Sequence, residues 1–178
     1  LQNADAVLAA QVSSGDLRVN AEEVSIDEEC TRILVRRQPA ASDLRLIFSA
    51  IKAVTDLERA GDLAERIAVT ALETPGGAPN TMRSPVVHLG GMVVHSLAKA
   101  IDCFAAMDSE QAFAIVDEDR AVDQEFQAVM RQLLTYMMED PRTIGWAMQL
   151  SWAARAMERI GDHAKNIAEY VIYMVHGA

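Results

Sequence analysis

The chain is 178 residues long, 51% hydrophobic but only 5% aromatic, and 29 of its residues are alanine. A chain of that length buries a core without disulfides or a structural metal, and an alanine-rich, aromatic-poor composition favours close-packed helices over a β-sandwich. Sixteen Lys and Arg against 26 Asp and Glu leave a net charge of -10, which argues against nucleic acid as a partner, because binding its backbone needs a positive surface that displaces counterions.

Apolar residues recur at spacings of three and four along the chain, the signature of helices with one buried face. The first helix is predicted over about 4 to 37, on the stripe Ala9, Val12, Asp16, Val19, Glu23, Ile26, Cys30 and Ile33. It ends at Gln38-Pro39, because proline keeps the preceding residue out of the helical region and lacks an N–H. The second runs over about 42 to 73 on Leu46, Ala50, Ala53, Leu57, Ala60, Ala64, Ile67 and Ala71, and stops at Thr74-Pro75-Gly76-Gly77-Ala78-Pro79. The third, over about 84 to 107, is the most apolar, but His88, His95, Lys99 and Asp102 interrupt it, so no transmembrane segment is expected. The fourth spans about 109 to 139 on Ala112, Ile115, Asp119, Val122, Phe126, Val129 and Leu133. Beyond Asp140-Pro141 the fifth runs over about 142 to 175, with Trp146, Leu150, Ala153, Met157, Ile160, Ala164, Ile167, Val171 and Met174 as its seam.

An internal repeat groups these helices. Glu58-Arg59-Ala60-Gly61-Asp62-Leu63-Ala64-Glu65-Arg66-Ile67-Ala68 recurs 100 residues later as Glu158-Arg159-Ile160-Gly161-Asp162-His163-Ala164-Lys165-Asn166-Ile167-Ala168, with seven of eleven positions identical. That offset is too long for a solenoid unit and indicates two copies of one small domain. Residues 1–74 form a first repeat of two helices, 75–83 a linker, and 84–178 a second repeat that is a complete antiparallel three-helix bundle. The chain opens on Leu1 without a Met and reads as a fragment; symmetry places a further helix of about 25 residues before Leu1, and without it one apolar face of the first repeat lies open. Cys30 and Cys103 belong to no CxxC motif and read as reduced, packed thiols, and no basic segment precedes an apolar leader; both point to a cytosolic protein.

Asp16, Glu23 and Asp119 sit on otherwise apolar stripes, and a buried carboxylate must be protonated, paired with a cation or bound to a metal. Asp123 and Glu158 lie equally far from the Asp140-Pro141 turn, as do Asp119 and Asp162, so antiparallel helices bring the four to matching levels. Around Gln38-Pro39 the same count sets Asn20 and Glu23 opposite Glu58, and Asp16 opposite Asp62. The pairs Glu58/Asp62, Asp119/Asp123 and Glu158/Asp162 are four apart on one helix face, a repulsion of about 0.2–0.5 kcal/mol each that a multivalent cation reverses. Gly61 and Gly161 lie inside two of these pairs, where they leave room for close helix approach or for an ion. All-oxygen ligands favour hard cations such as magnesium, manganese or ferric iron, with zinc less preferred. The alternative is that Arg18, Arg59, Arg120, Arg155 and Arg159 neutralise the acids as ordinary salt bridges, leaving a helical scaffold without metal.

Weaker features have plainer readings. His95 falls near the level of Asp119 and reads as a packed core residue, and His163 beside Asp162 reads as exposed. Nine methionines read as bundle filling, and Arg32, Arg36, Arg37 and Arg45 form a basic spot around the Gln38-Pro39 turn. The chain has no GxxxxGK[ST], GxSxG or HExxH, and no glutamate is followed three residues later by histidine as in ferritin-type di-iron enzymes. A carboxylate-bridged di-metal hydrolase or oxidase on a helical bundle is the alternative function.

The segments Arg37-Gln38-Pro39-Ala40-Ala41-Ser42-Asp43-Leu44-Arg45, Asp56-Leu57-Glu58-Arg59-Ala60-Gly61-Asp62 and Met157 to Tyr170 carry a resemblance to the PhoU family. The resemblance covers nearly the whole chain. It implies an all-α fold of two pseudo-repeated three-helix bundles whose E(D)xxxD motifs hold multinuclear clusters of iron, manganese, magnesium or zinc. Those motifs fall on Glu58/Asp62, Asp119/Asp123 and Glu158/Asp162. For the fourth, Asp16/Asn20 holds the equivalent register and departs from the pattern, whereas Glu23/Asp27 keeps the pattern one stretch further on. The resemblance also implies a cytoplasmic, non-enzymatic negative regulator, often a homodimer, that links a phosphate ABC transporter through its ATPase subunit to a sensor histidine kinase at the inner face of the membrane.

Overall fold

The structure, a computed structural model, describes residues 5–73 and 78–177. It contains five long helices, α1 (Ala6–Arg37), α2 (Ser42–Glu73), α3 (Asn80–Ala106), α4 (Ser109–Glu139) and α5 (Ile144–His176), with a 3-10 turn at Pro141–Thr143. Asp5 caps α1 by accepting from the N–H groups of Val7 and Leu8 at 2.9 and 3.1 Å, and Asp108 caps α4 through the Gln111 N–H at 3.0 Å. Gln38 and Met107 close α1 and α3 in the left-handed region, at φ 46° and 55°, which turns the chain sharply into an antiparallel neighbour.

Two boundaries depart from the periodicity. The predicted linker over 75–83 is partly helix, because α3 begins at Asn80 and carries Pro85 inside it. Ala78 and Met82 are buried in the core, and that burial outweighs the backbone hydrogen bond Pro85 forgoes. Residues 74–77 of the predicted first repeat and linker, and the helix expected before Leu1, lie outside the described residues. α5 starts at Ile144 rather than 142, because Asp140 Oδ1 accepts from Arg142 N at 3.0 Å and sets up the 3-10 turn first.

α5 is the central helix, packed against α2, α3 and α4; α3 also packs on α4, and α1 packs on α2 alone among the described helices. The α4 stripe from Ala112 to Leu133 is buried throughout, and so is the α5 seam except half-buried Trp146. Ala60 and Leu63 of α2 share one core cluster with α3, α4 and α5, and Ala53 shares another with Ala100, Cys103, Ile115 and Ile167. The two repeats therefore do not have separate cores. The α1 stripe is less covered: Ala9, Asp16 and Cys30 are buried, but Val19 and Ile26 are exposed, as are Leu17, Val24 and Val35 on its other faces. By length and composition α3 is apolar enough to cross a membrane, contrary to the interrupted pattern; in the fold its Val86, Leu89, Ala100 and Cys103 are fully buried.

Candidate functional site

Packing of α4 on α5 brings the second repeat's acids to one level. Asp119 is 5% exposed and receives Lys165 Nζ at 3.0 Å, while half-buried Glu158 receives Arg155 at 3.3 Å. Burial raises the Glu158 carboxyl above the usual glutamate range; Arg155 opposes the rise, and the charges of Asp162 and Asp123 add to it. Asp162 is likewise held high by burial and by Asp119 and Asp123. The charges of Asp119 and Asp123 on α4 thus reach Asp162, and that of Asp123 reaches Glu158, with Lys165 and Arg155 offsetting part of the charge.

The first repeat builds the same arrangement from α1 and α2, with fewer cations. Burial, then the charges of Asp62 and Glu65, push the Asp16 carboxyl up, and only the Asn20 Nδ2 hydrogen bond at 3.3 Å pulls it back. Burial and the charges of Asp62, Glu23 and Asp16 raise Glu58, with Arg59 opposing. Asp16 is 8% exposed, yet its Oδ1 and the Oδ1 of Asn20 are buried with no hydrogen-bond partner. Unsatisfied buried acceptors are costly, and an anionic one is the most costly. Gly61 makes room for this carboxylate, since a Cβ there would lie 2.9 Å from Asp16 Oδ1. At Gly161 a Cβ would meet Val122 Cγ1 at 3.3 Å, so that glycine serves the close approach of α4 to α5.

Two orphaned oxygens, a glycine that leaves space beside one of them and an all-oxygen donor set fit a hard cation. In this conformation no three His, Cys, Asp or Glu side chains among the described residues converge closely enough to hold one ion, so binding would draw the carboxylates inward. Asp27 is exposed, and after burial its charge is the next cause holding the Cys30 thiol high.

A further polar cluster escaped the sequence reading. Asp56 of α2 is 3% exposed, and its Oδ1 lies 2.6 Å from His163 Nδ1 while its Oδ2 accepts from Tyr170 Oη at 2.8 Å. Asn166 Nδ2 approaches at 3.4 Å. Burial works against the charge on Asp56, but the hydrogen bonds from His163 and Tyr170 outweigh it and hold the carboxyl below the usual range. The Tyr170 phenol is pushed up to about 12 by burial and by this bond. His163 is thus half-buried and bonded, not exposed as expected, because α2 crosses α5 there. The signal was in the quoted segments, where Asp56, His163, Asn166 and Tyr170 all occur, but nothing local pairs residues 107 positions apart.

His95 is exposed, contrary to the packed position expected, because it faces away from the stripe of Val86, Leu89, Val93, Ser96 and Ala100 that α3 buries. Both cysteines are free and buried as expected. In the basic spot, Arg32 is paired with Glu29, and Arg36 and Arg37 are exposed.

A family model described as the PhoU domain matches residues 1–71 and 86–171. The phosphate-specific transport system accessory protein PhoU homolog of Pseudomonas aeruginosa is 49% identical over 179 residues, covering 99% of this chain and 74% of that protein. The protein named phosphate-specific transport system accessory protein PhoU in Escherichia coli K12 is 45% identical over 99% of this chain and 73% of its own. The crystal structure of PhoU from Pseudomonas aeruginosa superposes with a TM-score of 0.95 at 49% identity, covering 99% of this chain and 85% of that one. The phosphate transport system regulatory protein PhoU from Streptococcus pneumoniae does so at 0.89 and 26% identity, over 99% and 83%.

Proposed function

The chain belongs to the PhoU family, and on that premise we propose that it is an accessory regulator of a phosphate transport system that binds metal through its repeated carboxylates. In this reading it represses the phosphate-starvation response and limits phosphate uptake by linking the ATPase subunit of a phosphate ABC transporter to a sensor histidine kinase. It acts in the cytoplasm at the inner membrane face, as a homodimer, and catalyses nothing. The support for the role comes from the accessory and regulatory names of its relatives.

The support for metal is one observation: equivalent places in both repeats gather acids whose charges, with burial, raise the carboxyls of Glu58 and Asp162, and in the first repeat two buried oxygens are left without partners. Asp16, Asn20, Glu23, Glu58 and Asp62 would hold the cation of the first repeat, and Asp119, Asp123, Glu158 and Asp162 that of the second. A bound iron, manganese, magnesium or zinc ion supplies the positive charge that offsets this repulsion. The chain's own residues position the oxygens, with Gly61 leaving the space that Asp16 occupies.

The metal content of wild type, Glu58→Gln/Asp62→Asn and Glu158→Gln/Asp162→Asn, purified without chelator and analysed by plasma mass spectrometry, tests the metal. Each pair should lower the stoichiometry while the helical circular dichroism is kept; unchanged stoichiometry in both overturns it. For the regulatory role, a strain lacking the protein should express phosphate-starvation genes in high phosphate and be restored by the wild-type chain. Normal repression without the protein would count against that role.

A further inference from the structure

Where the two repeats meet, α2 and α5 enclose a cleft of about 460 Å³. Its walls carry Arg59 and Arg159, the same position of the two repeat copies, together with Arg66 and His163. None of the three arginines makes an ion pair within 4 Å among the described residues, although Asp62 and Glu65 line the same cleft. Those two acids act on Asp16 of α1, so their charge is shared with the face that α1 covers. In His163, Nδ1 is taken by Asp56 at 2.6 Å, which leaves Nε2 as the ring nitrogen that can serve the cleft.

We propose that this cleft between the repeats is an oxyanion site for a phosphate group, gripped by the guanidinium forks of Arg59, Arg66 and Arg159. Each guanidinium presents paired N–H donors that match two oxygens of a tetrahedral anion, and it cannot lose its charge at physiological pH. Three such groups in one concave site are unusual on a chain of net charge -10. The pseudo-symmetry supplies the reason for the convergence, since packing α2 on α5 brings two copies of one motif arginine to the same cavity. A second cavity of about 260 Å³ shares Leu63, Arg66 and Arg159 with the first and adds Ile67, Ala153 and exposed Trp152. That apolar extension has room for the organic part of a phosphorylated molecule, so the anion is either free phosphate or the phosphate end of a small aromatic ligand such as a nucleotide. The site uses arginines rather than the metal-binding oxygens and does not depend on the metal reading.

The test is calorimetric titration of the full chain with inorganic phosphate and with ATP, in chelator and at constant ionic strength set with chloride. At least one probe should bind saturably. Losing a charge-assisted contact should weaken that binding roughly tenfold or more in Arg59→Gln/Arg159→Gln and in Arg66→Gln. Glu65→Gln, which removes a repelling charge from the wall, should strengthen it. Phosphate binding as tightly as ATP identifies the free anion; tighter ATP binding that Trp152→Ala reduces identifies the organic phosphate. The proposal is overturned if neither probe saturates with the wild-type chain, or if folded Arg66→Gln and the double variant bind as wild type. Should the double variant not fold, Arg66→Gln and Arg159→Lys, both on exposed positions, decide the matter by the same comparison.

Discussion

Removing the carboxylate of Asp56 should unfasten the first repeat from the second. Asp56 is 3% exposed and faces two well-placed donors, His163 Nδ1 at 2.6 Å and Tyr170 Oη at 2.8 Å, with Asn166 Nδ2 a long contact at 3.4 Å. Asp56→Ala leaves both close donors without their acceptor, at roughly 1–3 kcal/mol for each buried group. Breaking a buried charged contact by deleting one partner falls in the same range, about 3–5 kcal/mol in all. His163 and Tyr170 are only half-buried, so water replaces part of what is lost and the lower end, about 3 kcal/mol, is expected. Asp56→Asn keeps the volume and one acceptor oxygen and should lose about half as much. Urea unfolding followed by circular dichroism gives both values, with exposed Asp117→Ala as the reference. Because among the described helices α1 packs on α2 alone and α2 joins the rest through α5, hydrogen exchange in Asp56→Ala should accelerate first in α1 and α2. A loss below about 1 kcal/mol, or acceleration spread evenly over all five helices, would refute the assignment of Asp56 as the fastening between the repeats.

Further outcomes follow from the charge arrangement. Asp16, Glu58, Glu158 and Asp162 titrate above their ordinary values, so in chelator their protonation stabilises the fold as pH falls from neutrality through those raised values, a gain complete below the unfolded range of about 4. Asp56 has the opposite sign, since its carboxyl is held low; its contribution exists above the unfolded value of about 3.9 and is lost as pH falls through the folded one. Thermal melts in chelator should therefore show Tm highest on the acid side of neutrality, then falling below about pH 4, and a Tm that declines steadily from neutrality contradicts the charge assignment. Asn20→Asp exchanges the 3.3 Å hydrogen bond to Asp16 for a like-charge pair and should cost the metal-free protein about 1 kcal/mol, recovered on adding manganese, both read by urea unfolding. Gly61→Ala would bring a methyl within 2.9 Å of Asp16 Oδ1; manganese titration should show severalfold weaker affinity despite the better helix propensity. Gly161→Ala meets methyls of Val122 at 3.3 Å and Val93 at 3.9 Å rather than a carboxylate, and should leave that affinity unchanged.

The helices were legible in the sequence because their signal is local. Stripes such as Ala112 to Leu133 repeat with the helical period and are buried as that period requires. The levels of the acids were legible for a related reason: a fixed rise per residue and a tight turn set which residues of adjacent antiparallel helices lie side by side. Hence across the two helix pairs the charges of Asp16 and Glu23 reach Glu58, that of Asp123 reaches Glu158, and those of Asp119 and Asp123 reach Asp162. The exception at Asn80 shows the limit of that logic, since the apolar periodicity places the start near residue 84 and the burial of Met82 explains the extra turn.

By itself, then, the sequence determined five helices, the inward faces of α4 and α5, the repeat of the motif and the levels at which the carboxylates of adjacent helices stand. Only the tertiary structure decided how the repeats meet: that α2 lies on α5, that Asp56 takes His163 and Tyr170, that Lys165 covers Asp119, and that Arg59 and Arg159 share a cleft with Arg66. The physical reason is that a hydrophobic stripe specifies which side of a helix is buried but not which distant helix covers it. The partner and crossing angle are settled by shape complementarity between side chains far apart in the chain.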